Sequence, residues 1–99
     1  MMSAGKVKAF EMFAQNRSIE DVMEAIQRAQ STTAGYLADF IETTKPQSIE
    51  ACVNADTYAR VADAAEQTGT RHLKPIFQAL DGQVPYETIR MVARHVEQR

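Results

Sequence analysis

The sequence predicts an all-α protein: a compact helical domain of about six or seven short helices, with an N-terminal helix-turn-helix unit packed on a C-terminal helical half. Three observations predict it. Only four glycines and three prolines interrupt 99 residues that are rich in Ala, Glu and Gln, which are strong helix formers. Apolar residues make up 44% of the chain and recur at spacings of three and four, one face of a helix. Hydroxyl residues or proline stand ahead of several periodic stretches, where a helix needs its first N–H groups satisfied or absent. A chain of this length makes one domain and buries only about 60–65% of its unfolded surface, so its stability is modest.

The first helix runs from Lys6 to Gln15, with Val7, Phe10 and Phe13 three apart. The doubled Met1-Met2 reads as a start added ahead of an excised fragment, and residues 1–5 as a disordered lead. Asn16-Arg17 breaks the pattern. Ser18 opens the second helix with Asp21 three residues on, close to a capping box; Glu20 and Asp21 suit the positive end of the helix dipole. Ile19, Val22, Met23 and Ile26 form its apolar face. The third helix begins near Ser31-Thr32-Thr33, with Ser31 or a neighbour as N-cap, and presents Leu37, Phe40 and Ile41 on one stripe. It ends at Thr43-Thr44-Lys45-Pro46, because the residue before proline avoids the α region. Three helices joined by short turns make a helix-turn-helix unit over 6–45.

The second half, 46–99, starts with a short helix from Ser48 carrying Ile49 and Val53. Asp56 caps the next, which carries Tyr58, Val61, Ala62 and Ala65 and stops at Thr68-Gly69. Leu73, Ile76, Phe77 and Leu80 trace another; Pro75 must lie in its first turn, so it starts no earlier than about His72. Leu73 and Phe77 are expected to fill the core there. Asp81-Gly82 is a turn. Pro85 opens the last helix, with Tyr86, Ile89, Val92, Ala93 and Val96 on its face.

The chemistry of most enzymes is missing. Cys52 is the only cysteine, so no internal disulfide forms, which fits a reducing cytoplasm; it reads as a small buried apolar residue. No apolar run approaches the roughly 18 residues of a membrane helix. His72 and His95 show no zinc-ligand spacing, and the four glycines are isolated, so there is no phosphate loop. Glu20, Asp21 and Glu24 read as a solvated helix face. No catalytic residue, cofactor or metal is expected. The net charge is −2, from 11 basic and 13 acidic residues, which excludes a nucleic-acid wrapper that works by bulk charge.

Several stretches together carry a resemblance. Ser18-Ile19-Glu20-Asp21-Val22, then Ser31-Thr32-Thr33 and Tyr36-Leu37, resemble the helix-turn-helix domain at the C-terminus of RecQ-type DNA helicases. Arg71-His72-Leu73-Lys74-Pro75-Ile76-Phe77-Gln78-Ala79-Leu80 is similar to that family's R-L-K-P-I-x-x-A-L segment. Val84-Pro85-Tyr86-Glu87-Thr88-Ile89-Arg90-Met91-Val92 is similar to its closing helix. The resemblance covers roughly Lys6 to Val96. It departs at Gln27-Arg28, where many relatives carry Gly-Leu in the turn, and at Pro85, where Ser is common. It implies an accessory module, not catalytic alone, attached to an upstream ATPase core. DNA repair and recombination in the bacterial cytoplasm, at the nucleoid, are its implied setting. The implied partners are DNA (duplex, fork or single strand, weakly) and the rest of a helicase chain, with no membrane.

Two groups of residues are candidates for DNA contact. If the third helix enters the groove, its N-terminal residues meet the DNA. Arg28 and Lys45 would then contact phosphate and Gln30 a base edge. Ser31, Thr32 and Thr33, with the helix N-terminus, would hold a phosphate oxygen, and Tyr36 would stack on an unpaired base or donate to phosphate. A second group gathers Arg71, His72 and Lys74 at the start of one helix, with Arg90 and Arg94 four apart on the last; with Arg99 they would form a basic strip for single-stranded or forked DNA. The competing readings are that Ser31 to Thr33 only cap a helix, that Tyr36 packs in the core, and that the arginines pair with Glu87, Glu97 or Asp63. The alternative function is a protein-docking module, which an exposed cluster of Met12, Met23 or Met91 would favour.

Overall fold

The computed structural model describes residues 2–99. Among them there are six helices and no strand: α1 (Ala4–Ala14), α2 (Ile19–Ile26), α3 (Gln30–Thr44), α4 (Ala55–Thr68), α5 (Leu73–Ala79) and α6 (Tyr86–Gln98). Three of them start on a side-chain cap. The Ser3 hydroxyl accepts the Lys6 N–H at 3.2 Å, so α1 begins two residues before Lys6; of the expected disordered lead, Met1 lies outside the described residues. The Ser18 hydroxyl accepts the Asp21 N–H at 3.1 Å, and Glu20 and Asp21 fill the first turn of α2. The Asn54 carboxamide oxygen accepts the Thr57 N–H at 2.8 Å. Asn54 therefore caps α4, and Asp56 sits inside its first turn.

The stretch from Ser48 to Val53 is a turn and not the expected short helix. The Cys52 and Val53 N–H groups both bond the Ile49 carbonyl, and the pattern goes no further. Helix nucleation fixes several dihedrals for each early bond, and the Asn54 cap starts a new helix before this turn propagates. Ile49 and Val53 still bury their side chains. In α5 it is Ile76, at 0% exposure, that fills the core; Leu73 and Phe77 lie half-buried against it. Pro75 stands in the first turn, where its missing N–H costs nothing.

The helices form two groups of three. α3 touches α1 and α2, α6 touches α4 and α5, and the most extensive contact joins α3 to α6. Leu37 and Ile41 from α3 and Ile89, Met91 and Val92 from α6 are almost wholly enclosed there, in one continuous core. Phe40 meets Phe10 edge-on at 5.4 Å and Phe13 at 5.8 Å, fixing α1 on α3. At the far end of α6 the His95 ring is buried. Its Nε2 lies 3.0 Å from the Pro46 carbonyl and 3.1 Å from that of Gln47, and its Nδ1 lies 2.6 Å from the Tyr58 hydroxyl. With two carbonyls facing Nε2, the neutral ring carries its proton there and Nδ1 accepts from Tyr58. The segment that links the two groups of helices is tied to α6 at this point.

Candidate nucleic-acid interface

The turn between α2 and α3 is made without glycine. Gln27 takes a left-handed conformation, φ 55° and ψ 50°, and its side-chain amide donates to the Glu24 carbonyl at 2.6 Å. That conformation costs a non-glycine residue about 1–2 kcal/mol. Arg28 follows on the turn, exposed. α3 then begins after Ala29, which has no side chain able to cap it. The N–H groups of Gln30, Ser31 and Thr32 thus stay free of the helix ladder. All three side chains are exposed, and no acidic residue occupies the first turn of α3. Ser31 is not the N-cap; it stands at the second helical position.

Other candidates are placed differently. Thr33 leaves the surface: it is 0% exposed, and its hydroxyl donates to the Ala29 carbonyl at 3.0 Å. Its four-residue spacing to Leu37 and Ile41 puts it on the buried stripe of α3. Tyr36 is half-buried against the core, with the Lys6 ammonium 6.0 Å from its ring centroid and bonded to Asp39 at 2.8 Å. A base stacking there would compete with Lys6 for the ring. Lys45 is exposed but ends α3, about 22 Å from Gln30 at the rise of an α-helix. Arg28 and Lys45 therefore form no single patch.

In the second half, Arg71 and Lys74 are exposed around the start of α5, and Arg90 is exposed on α6. Arg94 is drawn away from them. It is half-buried, with its Nε 3.4 Å from Glu42 Oε2 on α3. The expected pairings with Glu87, Glu97 or Asp63 are replaced by Arg94–Glu42 and by Arg99–Glu66 at 3.0 Å. Lys6–Asp39 and Arg17–Asp21 complete the ion pairs among the described residues. Arg28, Lys45, Arg71, Lys74 and Arg90 belong to none of them. Met12, Met23 and Met91 form no exposed cluster: Met12 and Met91 are buried, and Met23 packs on the core.

No group of three or more His, Cys, Asp or Glu side chains is arranged to hold a metal ion among the described residues, and no described helix is long and apolar enough to cross a membrane. Cys52 is half-buried, with its thiol 3.6 Å from the Arg17 carbonyl. Burial, and then the nearby Glu20 carboxylate, push its pKa from 9.0 up to about 11. The thiolate is the nucleophile, so near neutral pH its fraction falls by about 100-fold. Native protein is therefore expected to react with a thiol reagent far more slowly than urea-unfolded protein. Equal rates would show that Cys52 is not enclosed as described.

A short helix, a tight turn and a second helix with an open, exposed N-terminus, braced by α1 inside an all-α domain, define the class of helix-turn-helix modules. The chain belongs to the helix-turn-helix domain family, whose model matches residues 6–93. A search of curated proteins and a search of solved structures each gave no match. A helix-turn-helix domain is a binding module and is not catalytic by itself.

Proposed function

We propose that the chain is a DNA-binding accessory module and that α3 is its recognition helix, working at the C-terminal end of a RecQ-type DNA helicase. The observation that carries the reading is the first turn of α3. Free N–H groups at Gln30, Ser31 and Thr32, exposed polar side chains and the adjacent Arg28 gather at the positive end of a 15-residue helix. A phosphate oxygen suits that end, and Gln30 has the donor–acceptor pair that reads an adenine edge. The helicase setting is supported by the likeness of Arg71 to Leu80 and Val84 to Val92 to that family's C-terminal segments.

The charges bound the strength of binding. Up to Lys45 there are 5 basic and 6 acidic residues, and beyond it 6 and 7. Affinity comes from placement and not from net charge, so the isolated chain binds at about 10⁻⁴ to 10⁻⁶ M, the non-specific range. Attached to a helicase core that already holds DNA, the module needs no more, because tethering supplies a high effective concentration. Titration of labelled duplex, fork and single-stranded DNA at low salt tests the reading. A shift that weakens as salt rises is expected; no shift with any of the three would overturn it. By itself the chain is expected to hydrolyse no ATP.

A further inference from the structure

The second exposed surface of the domain combines aromatic and basic side chains in an order that α3 lacks. Phe77 on α5 and Tyr86 on α6 stack face to face, with centroids 4.4 Å apart and planes at 12°. Phe77 is half-buried, and Gly82 packs against its ring edge: a Cβ added there would stand 3.3 Å from Cζ. Gly82 also holds φ 68°, a conformation suited to glycine. The inner ring is thus fixed. The outer one, Tyr86, is 41% exposed, among the most exposed large apolar side chains of the described residues.

Cations flank this pair at helical spacing. Lys74 precedes Phe77 by three residues on α5, and Arg90 follows Tyr86 by four on α6, so each stands beside its aromatic ring on the same helix face. Both are exposed and outside every ion pair, as is Arg71 just before α5. A packed core has no use for a tyrosine ring left open to water, and folding gains nothing from three exposed cations without an ion pair on and beside the same two helices. An unstacked base continues an aromatic stack, and its neighbouring phosphates want cations on either side. Duplex DNA offers no free base face. Asp81 and Glu87 lie close in sequence and keep the attraction weak.

We infer that the α5–α6 face binds single-stranded DNA, with one base stacked on Tyr86 over Phe77 and the adjoining phosphates held by Lys74, Arg90 and Arg71. This rests on the reading that the chain works on DNA, and it assigns the single strand to a surface other than α3.

The test is anisotropy titration of a labelled thymidine oligomer of about 15 nucleotides at low salt. Tyr86→Ala is expected to weaken binding by about 5- to 150-fold, the range of one lost base–aromatic stack, and to leave duplex binding unchanged. Tyr86→Trp is expected to retain binding. Because the chain has no other tryptophan, its emission reports the stack directly and should be quenched by the oligomer. Three phosphate contacts give a log–log salt slope of about −2 for a single strand, and Lys74→Gln should reduce it by about 0.7. Helical circular dichroism checks that each variant is folded. A folded Tyr86→Ala protein that binds the oligomer like wild type, or a Tyr86→Trp emission blind to it, would overturn the assignment. A wild-type chain that binds the oligomer but not duplex would count against α3 and not against this face.

Discussion

Replacing Ile41 by alanine is expected to cost about 3–5 kcal/mol of stability, the upper part of the range for truncating an enclosed aliphatic side chain. Ile41 is 0% exposed on α3, the helix that contacts α1, α2 and α6. The void has no mobile loop to fill it, because the neighbouring buried side chains belong to helices held on several sides. A domain of this size has only about 5–10 kcal/mol in total, so the variant loses a large part of its margin. Urea denaturation should show a much lower midpoint at an unchanged slope. Val7→Ala, at a position 42% exposed, serves as the control and should shift the midpoint little. A midpoint for Ile41→Ala close to that of wild type would mean that α3 is not the central helix.

His95→Ala is the second large effect, expected at about 2–4 kcal/mol. The imidazole joins Tyr58 of α4 to the carbonyls of Pro46 and Gln47. Its loss leaves buried polar groups unpaired, at about 1–3 kcal/mol for each that water does not reach. The Gln98 amide still donates to the Pro46 carbonyl at 2.7 Å, which limits the damage on that side. Tyr58→Phe alone should cost about 1 kcal/mol, and the double variant less than the sum of the two, since both break the same bond. Strict additivity would show that the ring and the hydroxyl do not interact.

Much of the fold was legible because its signals are local. Ser18 with Asp21, the Leu37–Phe40–Ile41 stripe, Pro75 near a helix start and Gly69 at a helix end each act within one or two turns. The Ser48 to Val53 segment misled because its apolar spacing suits a helix while its length does not sustain one. The site was harder to read. The inward turn of Thr33 is written in its spacing to Leu37 and Ile41, but hydroxyl chemistry at a helix start suggests a surface role first. His95 could have been placed inside from its spacing to Met91 and Val92, both buried. Its partners lie 37 to 49 residues away, and no local pattern reveals them. The Arg94 pairing is hidden for a similar reason: Glu42 reaches it only because α3 packs on α6. The stacking of Phe77 on Tyr86 depends on the α5–α6 turn at Gly82, so the sequence shows the two rings but not their contact.

If the open first turn of α3 receives a DNA phosphate, Ser31→Asp separates stability from binding. An acid there complements the helix dipole, so stability should rise by about 0.3–1 kcal/mol. The same carboxylate occupies the place of the phosphate and repels it, so affinity for duplex DNA at low salt should fall by about 10-fold or more. A more stable protein that binds duplex less tightly is the predicted result. A folded Ser31→Asp variant with wild-type affinity for duplex would contradict it and remove α3 from the DNA interface.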